Sequence, residues 1–231
     1  MSRRKIIGFT LIETAIVLVI IGLILGGVLK GRELFANARV RELISQQVGI
    51  KVAFLSFEER FRALPGDYAR ATANIAGTTQ NGNGNGQIED SSTPIESILV
   101  WEHLSRAGFL TGTYTYSATE SVLTSPVNRY GVNLQIVYDG IYGDGTTSAP
   151  SPLRHNIKSG SQIPVEVLAE TDRKIDDGAP FTGTFQFSTY RGNGAANPAL
   201  TGPGSCINGA GPTAAWAAIS GQPNCGAASL L

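Results

Sequence analysis

Charge is scarce in this chain of 231 residues: Asp, Glu, Lys and Arg make up 16% of it, and 18 acidic residues balance 18 basic ones. Without a basic surplus there is no electrostatic footprint for a phosphate backbone, so no nucleic-acid partner is expected. Cysteine is nearly absent too, with only Cys206 and Cys225, which rules out a disulfide-dense scaffold. His103 and His155 stand far from both cysteines and give no zinc-ligand spacing. Catalytic signatures are missing as well. No G-x-S-x-G nucleophile turn occurs, and the glycines at 82, 84 and 86 miss the dinucleotide-binding spacing. No enzymatic activity and no required cofactor are expected. What the chain has in quantity is glycine, 28 residues, which with the low charge gives a surface suited to being covered by neighbours.

The largest feature is at the N-terminus. Residues 1–8 are short and basic, with Arg3, Arg4 and Lys5, and Phe9 to Leu29 is a run of 21 residues whose one charge is Glu13. As a helix this run is about 30 Å long, enough to cross a bilayer core. The basic residues before it predict that the N-terminus stays cytoplasmic and that everything after Leu29 is exported. A carboxylate in lipid costs about 2.5–3.5 kcal/mol, so Glu13 needs a partner and a purpose. An ordinary secretory signal fits less well, because Gly26 to Lys30 offers no small-x-small cleavage site.

Lys5-Ile6-Ile7-Gly8-Phe9-Thr10-Leu11-Ile12-Glu13 resembles the processing site of type IV prepilins and type II secretion pseudopilins. The resemblance implies a cut between Gly8 and Phe9 by a membrane prepilin peptidase, which also N-methylates Phe9. It implies that Glu13 pairs with the terminal amine of an adjacent subunit during assembly. The implied fold is α+β, a long N-terminal helix packed on a small antiparallel-sheet head. The implied partners are other pilins, homo- or hetero-oligomeric, the peptidase, the inner-membrane assembly platform and, before assembly, the lipid bilayer. The protein is accordingly expected as a single-pass protein of the inner membrane, and then in an extracellular or periplasmic filament. A pilin or minor pilin of a type IV pilus is the first reading. A type II secretion pseudopilin, or a filament subunit with a ligand-binding head, is the alternative.

Three segments follow: a leader at 1–8, a helix over 9–64 and a head over 65–231. Within the helix, 9–29 is the membrane and filament-core part and 30–64 an amphipathic stalk. Val40, Leu43, Ile50, Phe54, Phe57, Phe61 and Leu64 recur at helical spacing, with Gln47 in the one apolar gap. The helix over 9–64 would be on the order of 80 Å long. Pro65 ends it. Gly22, Gly26, Gly27 and Gly31 each cost about 1 kcal/mol in a helix relative to Ala. Close packing and local melting both account for them.

In the head, Leu64-Pro65-Gly66-Asp67 resembles an element found with prepilin-type proteins, as do the segments Asn81–Ile88, Trp101–Gly108 and Asp172–Gly178. Thr93-Pro94-Ile95-Glu96 reads as a capping box opening a helix over 94–107. Strands are predicted over 132–138 and 182–190, and a helix over 164–175. From Arg191 onward the composition is Gly, Ala, Pro and Asn, and little core is expected from it. With the head in an oxidising space, and C-terminal disulfide loops being a habit of pilins, Cys206 and Cys225 are expected to pair. The alternative is free thiols or metal ligation. Asn81, Asn83, Asn85, Gln87 and Glu89 place oxygens at alternate positions, with Gly86 sixth and Ile88 eighth, as in a calcium loop. Asn stands where Asp is usual, and Ser92 where a bidentate Glu is expected, so a metal-free turn is the competing reading. Asp172, Asp176 and Asp177 form a second oxygen-rich group, read as helix-end capping.

Overall fold

The computed structural model describes residues 11–145, 149–194 and 196–231. Helix α1 runs Leu11–Phe61, uninterrupted through its glycines. It ends three residues before the predicted Leu64. Arg62 adopts φ 52° and donates its N–H to the Glu58 carbonyl, a left-handed cap made without glycine. The chain divides into two compact units, residues 1–39 and Val40–Leu231.

In the second unit, α1 is followed by α2 (Ala71–Asn74), α3 (Glu96–Arg106), β1 (Gln135–Asp139), β2 (Arg154–Lys158), α4 (Val165–Ile175), β3 (Phe185–Phe187), β4 (Ile207–Asn208), β5 (Ala215–Trp216) and β6 (Ala227–Leu230). Four strands form one antiparallel sheet in the order β1-β2-β6-β3, and β4 pairs with β5. The fold is α+β, a long N-terminal helix with an antiparallel-sheet head.

The apolar stripe of α1 supplies the core. Val40, Leu43, Ile50, Ala53, Phe54 and Phe57 are buried along one face of the helix. Val40 and Leu43 join Val165 and Leu168 of α4, Phe185 and Phe187 of β3, and Trp216. Ile50, Phe54 and Phe57 join Trp101 and Leu104 of α3 with Ile136 and Ile157 of the sheet. Gln47, on the same stripe, is buried with neither amide atom hydrogen-bonded among the described residues. Because side chains alternate along a strand, Ile136 and Ile157 face α1, while Gln135, Asp139, Asn156 and Lys158 lie on the opposite face of the sheet.

Three expectations need correction. The capping box does not form: Thr93-Pro94 is a cis peptide and α3 starts at Glu96, with Ile95 as N-cap and no side-chain cap bond. The strand predicted over 182–190 is confined to Phe185–Phe187, because Asp176 takes the backbone N–H groups of Thr184 and Phe185 at its start. The tail after Arg191 is not peripheral. Strand β6 lies inside the sheet between β2 and β3, with Ala227 and Ala228 fully buried, and Ile207 and Trp216 also reach the core. Its alanines carry little strand propensity, so long-range pairing rather than local preference places it.

Candidate functional site

The N-terminal segment is built of side chains that face outward. Every described residue from Leu11 to Lys30 is exposed, including Leu11, Leu18 and Leu23 at 91%, 69% and 72%. An apolar surface of this extent needs lipid or other protein around it. The helix is long and apolar enough to cross a membrane, with a mean hydropathy of 2.6 over its best window. Glu13 lies in its first turn, exposed. The expected processing residues Gly8 and Phe9 lie outside the described residues.

The head's Asn/Gly loop is organised around two carboxylates that the sequence did not single out for that role. Asp67, almost wholly buried, accepts N–H bonds from Gly84 (2.6 Å), Asn85 (2.9 Å) and Gly86 (2.9 Å). Glu96, fully buried, accepts from the N–H groups of Asn83 (2.8 Å) and Glu89 (3.2 Å). Burial raises the Glu96 pKa against the lowering effect of those two amides. Only glycine fits at Gly82, where a Cβ would stand 2.2 Å from the Asp67 carbonyl carbon. Four of the five side chains expected as calcium ligands, all but Gln87, accept hydrogen bonds from the protein itself. Asn81 Oδ1 accepts from Thr72, Asn83 Oδ1 from the Asn85 N–H, and Asn85 Oδ1 from the Gln87 N–H. The Glu89 carboxylate accepts from both the Asn83 and Asn85 amides. These bonds describe a set of Asx turns clamped by Asp67 and Glu96.

Asp172, Asp176 and Asp177 come together at the end of α4, with ligand-type oxygens within 4.8 Å of one another. Each carboxylate has its own partner. Asp172 accepts from the Trp216 indole N–H (2.7 Å) and the Gly178 N–H (3.2 Å). Asp176 takes Thr184 and Phe185, and Asp177 takes the Ala179 N–H and the Thr182 hydroxyl. Burial lifts Asp172 to about 6, opposed by its indole and amide donors. The Asp172–Trp216 bond ties α4 to the loop closed by the Cys206–Cys225 disulfide. That bridge spans 19 positions and contributes about 3 kcal/mol by restricting the unfolded chain.

His103 locks the turn at the end of α1. Its Nδ1 accepts the Gly66 N–H (2.9 Å), which leaves Nε2–H to donate to the Gln80 carbonyl (3.1 Å). The Gly66 bond requires an unprotonated Nδ1, and burial pushes the ring's pKa down to about 4 against the raising effect of the Gln80 bond. As the pH falls from about 6.5 to 4, the unfolded chain takes up a proton that the folded chain refuses, so this residue removes up to about 3 kcal/mol of stability over that window. Asp172 acts in the opposite sense: its raised pKa disfavours the folded state as the pH rises from about 3.8 through 6. A proton NMR titration of His103 should show no ring protonation until well below pH ~6. A midpoint at the ordinary value would contradict the locked turn.

Together these features define a class: a protein with an exposed, bilayer-length apolar helix, acidic in its first turn, continuous with the core helix of a disulfide-closed α+β head. Residues 3–29 match the prokaryotic N-terminal methylation motif, which supports a type IV prepilin-like or pseudopilin family. No curated protein and no solved structure shows significant similarity to it. The motif in general marks structural subunits that are processed by a peptidase and assembled into filaments, and the apolar helix fits membrane anchoring.

Proposed function

We propose that the chain is a pilin or minor pilin, a structural subunit that polymerises into a type IV pilus through its N-terminal helix. The observation that carries this reading is the exposed apolar face of α1 with Glu13 in its first turn, inside the methylation motif. Prepilin peptidase cuts between Gly8 and Phe9 and methylates Phe9. Before assembly the basic N-terminus lies in the cytoplasm and the head outside the inner membrane, where an oxidising space allows the Cys206–Cys225 bridge to persist. On assembly the helices leave lipid for a bundle of like helices, and the Glu13 carboxylate meets the methylated amine of a neighbouring protomer. Inside an apolar bundle each charge relieves the other's desolvation, and the pair forms only when the subunits are in register. The proposed role calls for no cofactor, and Asp67 and Glu96 hold the Asn81–Glu89 loop through its backbone N–H groups.

Intact-mass spectrometry of the mature cellular protein tests the proposal. The expected mass is that of a chain beginning at Phe9, plus one methyl group and minus two hydrogens for the disulfide. A mature form retaining residues 1–8 would overturn it.

A further inference from the structure

The sheet face opposite α1 holds a cleft that filament assembly does not call for. It is an open cleft of about 640 Å³, within the range of small-molecule sites, and its walls include Asp90, Gln135, Asp139, Lys158, Arg191 and Asn197. Strand alternation puts Gln135, Asp139 and Lys158 on one face of β1 and β2, with Gln135 directly opposite Lys158. Lys158 is unusual for a lysine in having its side chain only 4% exposed. It donates to Asp139, which also accepts from the Asn156 amide and the Ile141 N–H.

The polar inventory of the cleft is incompletely used. The Lys158 ammonium has three N–H bonds, and Asp139 is its one partner among the described residues. Asp90 commits Oδ1 to the Ser97 hydroxyl and the Gln135 amide, leaving Oδ2 for another donor. The side chains of Arg191 and Asn197, both exposed, make no hydrogen bond to a described residue. Donors and acceptors therefore alternate around one space. The charges lining it are Lys158 and Arg191 against Glu89, Asp90 and Asp139, so no strong excess of either sign selects an ion. A ligand that satisfies such a wall must donate and accept at closely spaced points while staying uncharged. Hydroxyl groups do both.

We infer that this cleft is a binding site for a neutral saccharide, with Lys158 engaging sugar hydroxyls from the floor and the exposed Asp90, Arg191 and Asn197 from the rim. The inference rests on the head alone and holds whichever filament the chain serves. It gives the subunit a means of holding a polysaccharide surface.

Saturation-transfer NMR on the full chain, in a phosphocholine detergent free of sugar, tests this with maltotriose, triacetylchitotriose and lactose as separate probes. At least one should receive saturation from the protein. Arg191→Ala and Asn197→Ala, at exposed positions outside the core, should each weaken that binding by about tenfold. Lys158→Met should abolish it, and if that variant fails to fold the two rim variants still decide. The inference is overturned if none of the three sugars binds, or if binding persists unchanged in both rim variants. It is equally overturned if inorganic phosphate occupies the cleft in preference to every sugar.

Discussion

Glu13→Val should leave the protein in the membrane at normal abundance and abolish its filaments. The substitution makes the apolar segment more apolar, so insertion is not impaired. What it removes is the carboxylate proposed to meet a neighbour's terminal amine. Taking away one partner of a buried ion pair costs about 3–5 kcal/mol, because the other charge stays buried and uncompensated. That corresponds to a roughly hundredfold or greater weakening at each subunit contact. A polymer repeats the loss at every step, so the amount of sheared surface fibre should fall below detection while the membrane fraction still holds the monomer. Glu13→Asp, which keeps the charge on a shorter arm, should assemble partially. Fibres at normal yield from Glu13→Val would show that association rests on helix packing alone.

Phe57→Ala should be the most damaging substitution on the stalk. Phe57 is fully buried and its ring packs 4.6 Å from Phe61, edge-on to Tyr68 and Phe109, and parallel to the His103 imidazole. Truncating a buried phenylalanine costs about 3–5 kcal/mol, the lost transfer energy plus a cavity. The effect should reach the turn that His103 holds, since the same ring supports that imidazole. Val52 lies on the same helix at 57% exposure, and Val52→Ala should change stability by no more than about 0.5 kcal/mol. Urea unfolding followed through the buried Trp101 and Trp216 distinguishes the two. Equal midpoints for the two variants would mean that the stalk helix is not part of the head's core.

How much of this was legible depended on whether a residue's environment is local. The stripe from Val40 to Phe57 was read correctly because a helix repeats its own geometry, and one buried face leaves a periodic trace. Helix α4 was legible for the same reason. The Cys206–Cys225 bridge followed from the compartment that the N-terminus implied. Strand β2 was missed altogether. Arg154-His-Asn-Ile-Lys158 reads as polar, since one face of it feeds the Asp139 and Asn156 network rather than an apolar layer. Strand β6 was missed because its alanines signal nothing by themselves, and its place comes from partners near residues 157 and 186. The Asn81–Glu89 loop showed its spacing but not its centre. Nothing in a linear reading announces that Asp67, at a distant point in the chain, receives three of its N–H groups.

The proposed contact between Glu13 and a neighbouring protomer's terminus can be measured in assembled fibres. Fibres grown from equal amounts of ¹⁵N-labelled and unlabelled subunits, treated with a carbodiimide, should yield an amide joining the Phe9 amine to the Glu13 carboxylate. Half of those joined peptides should carry one labelled and one unlabelled strand, the signature of a bond between different molecules. Joined peptides with both halves always of one label, or no such product from intact fibres, would place the acid elsewhere and remove the basis for assembly described above.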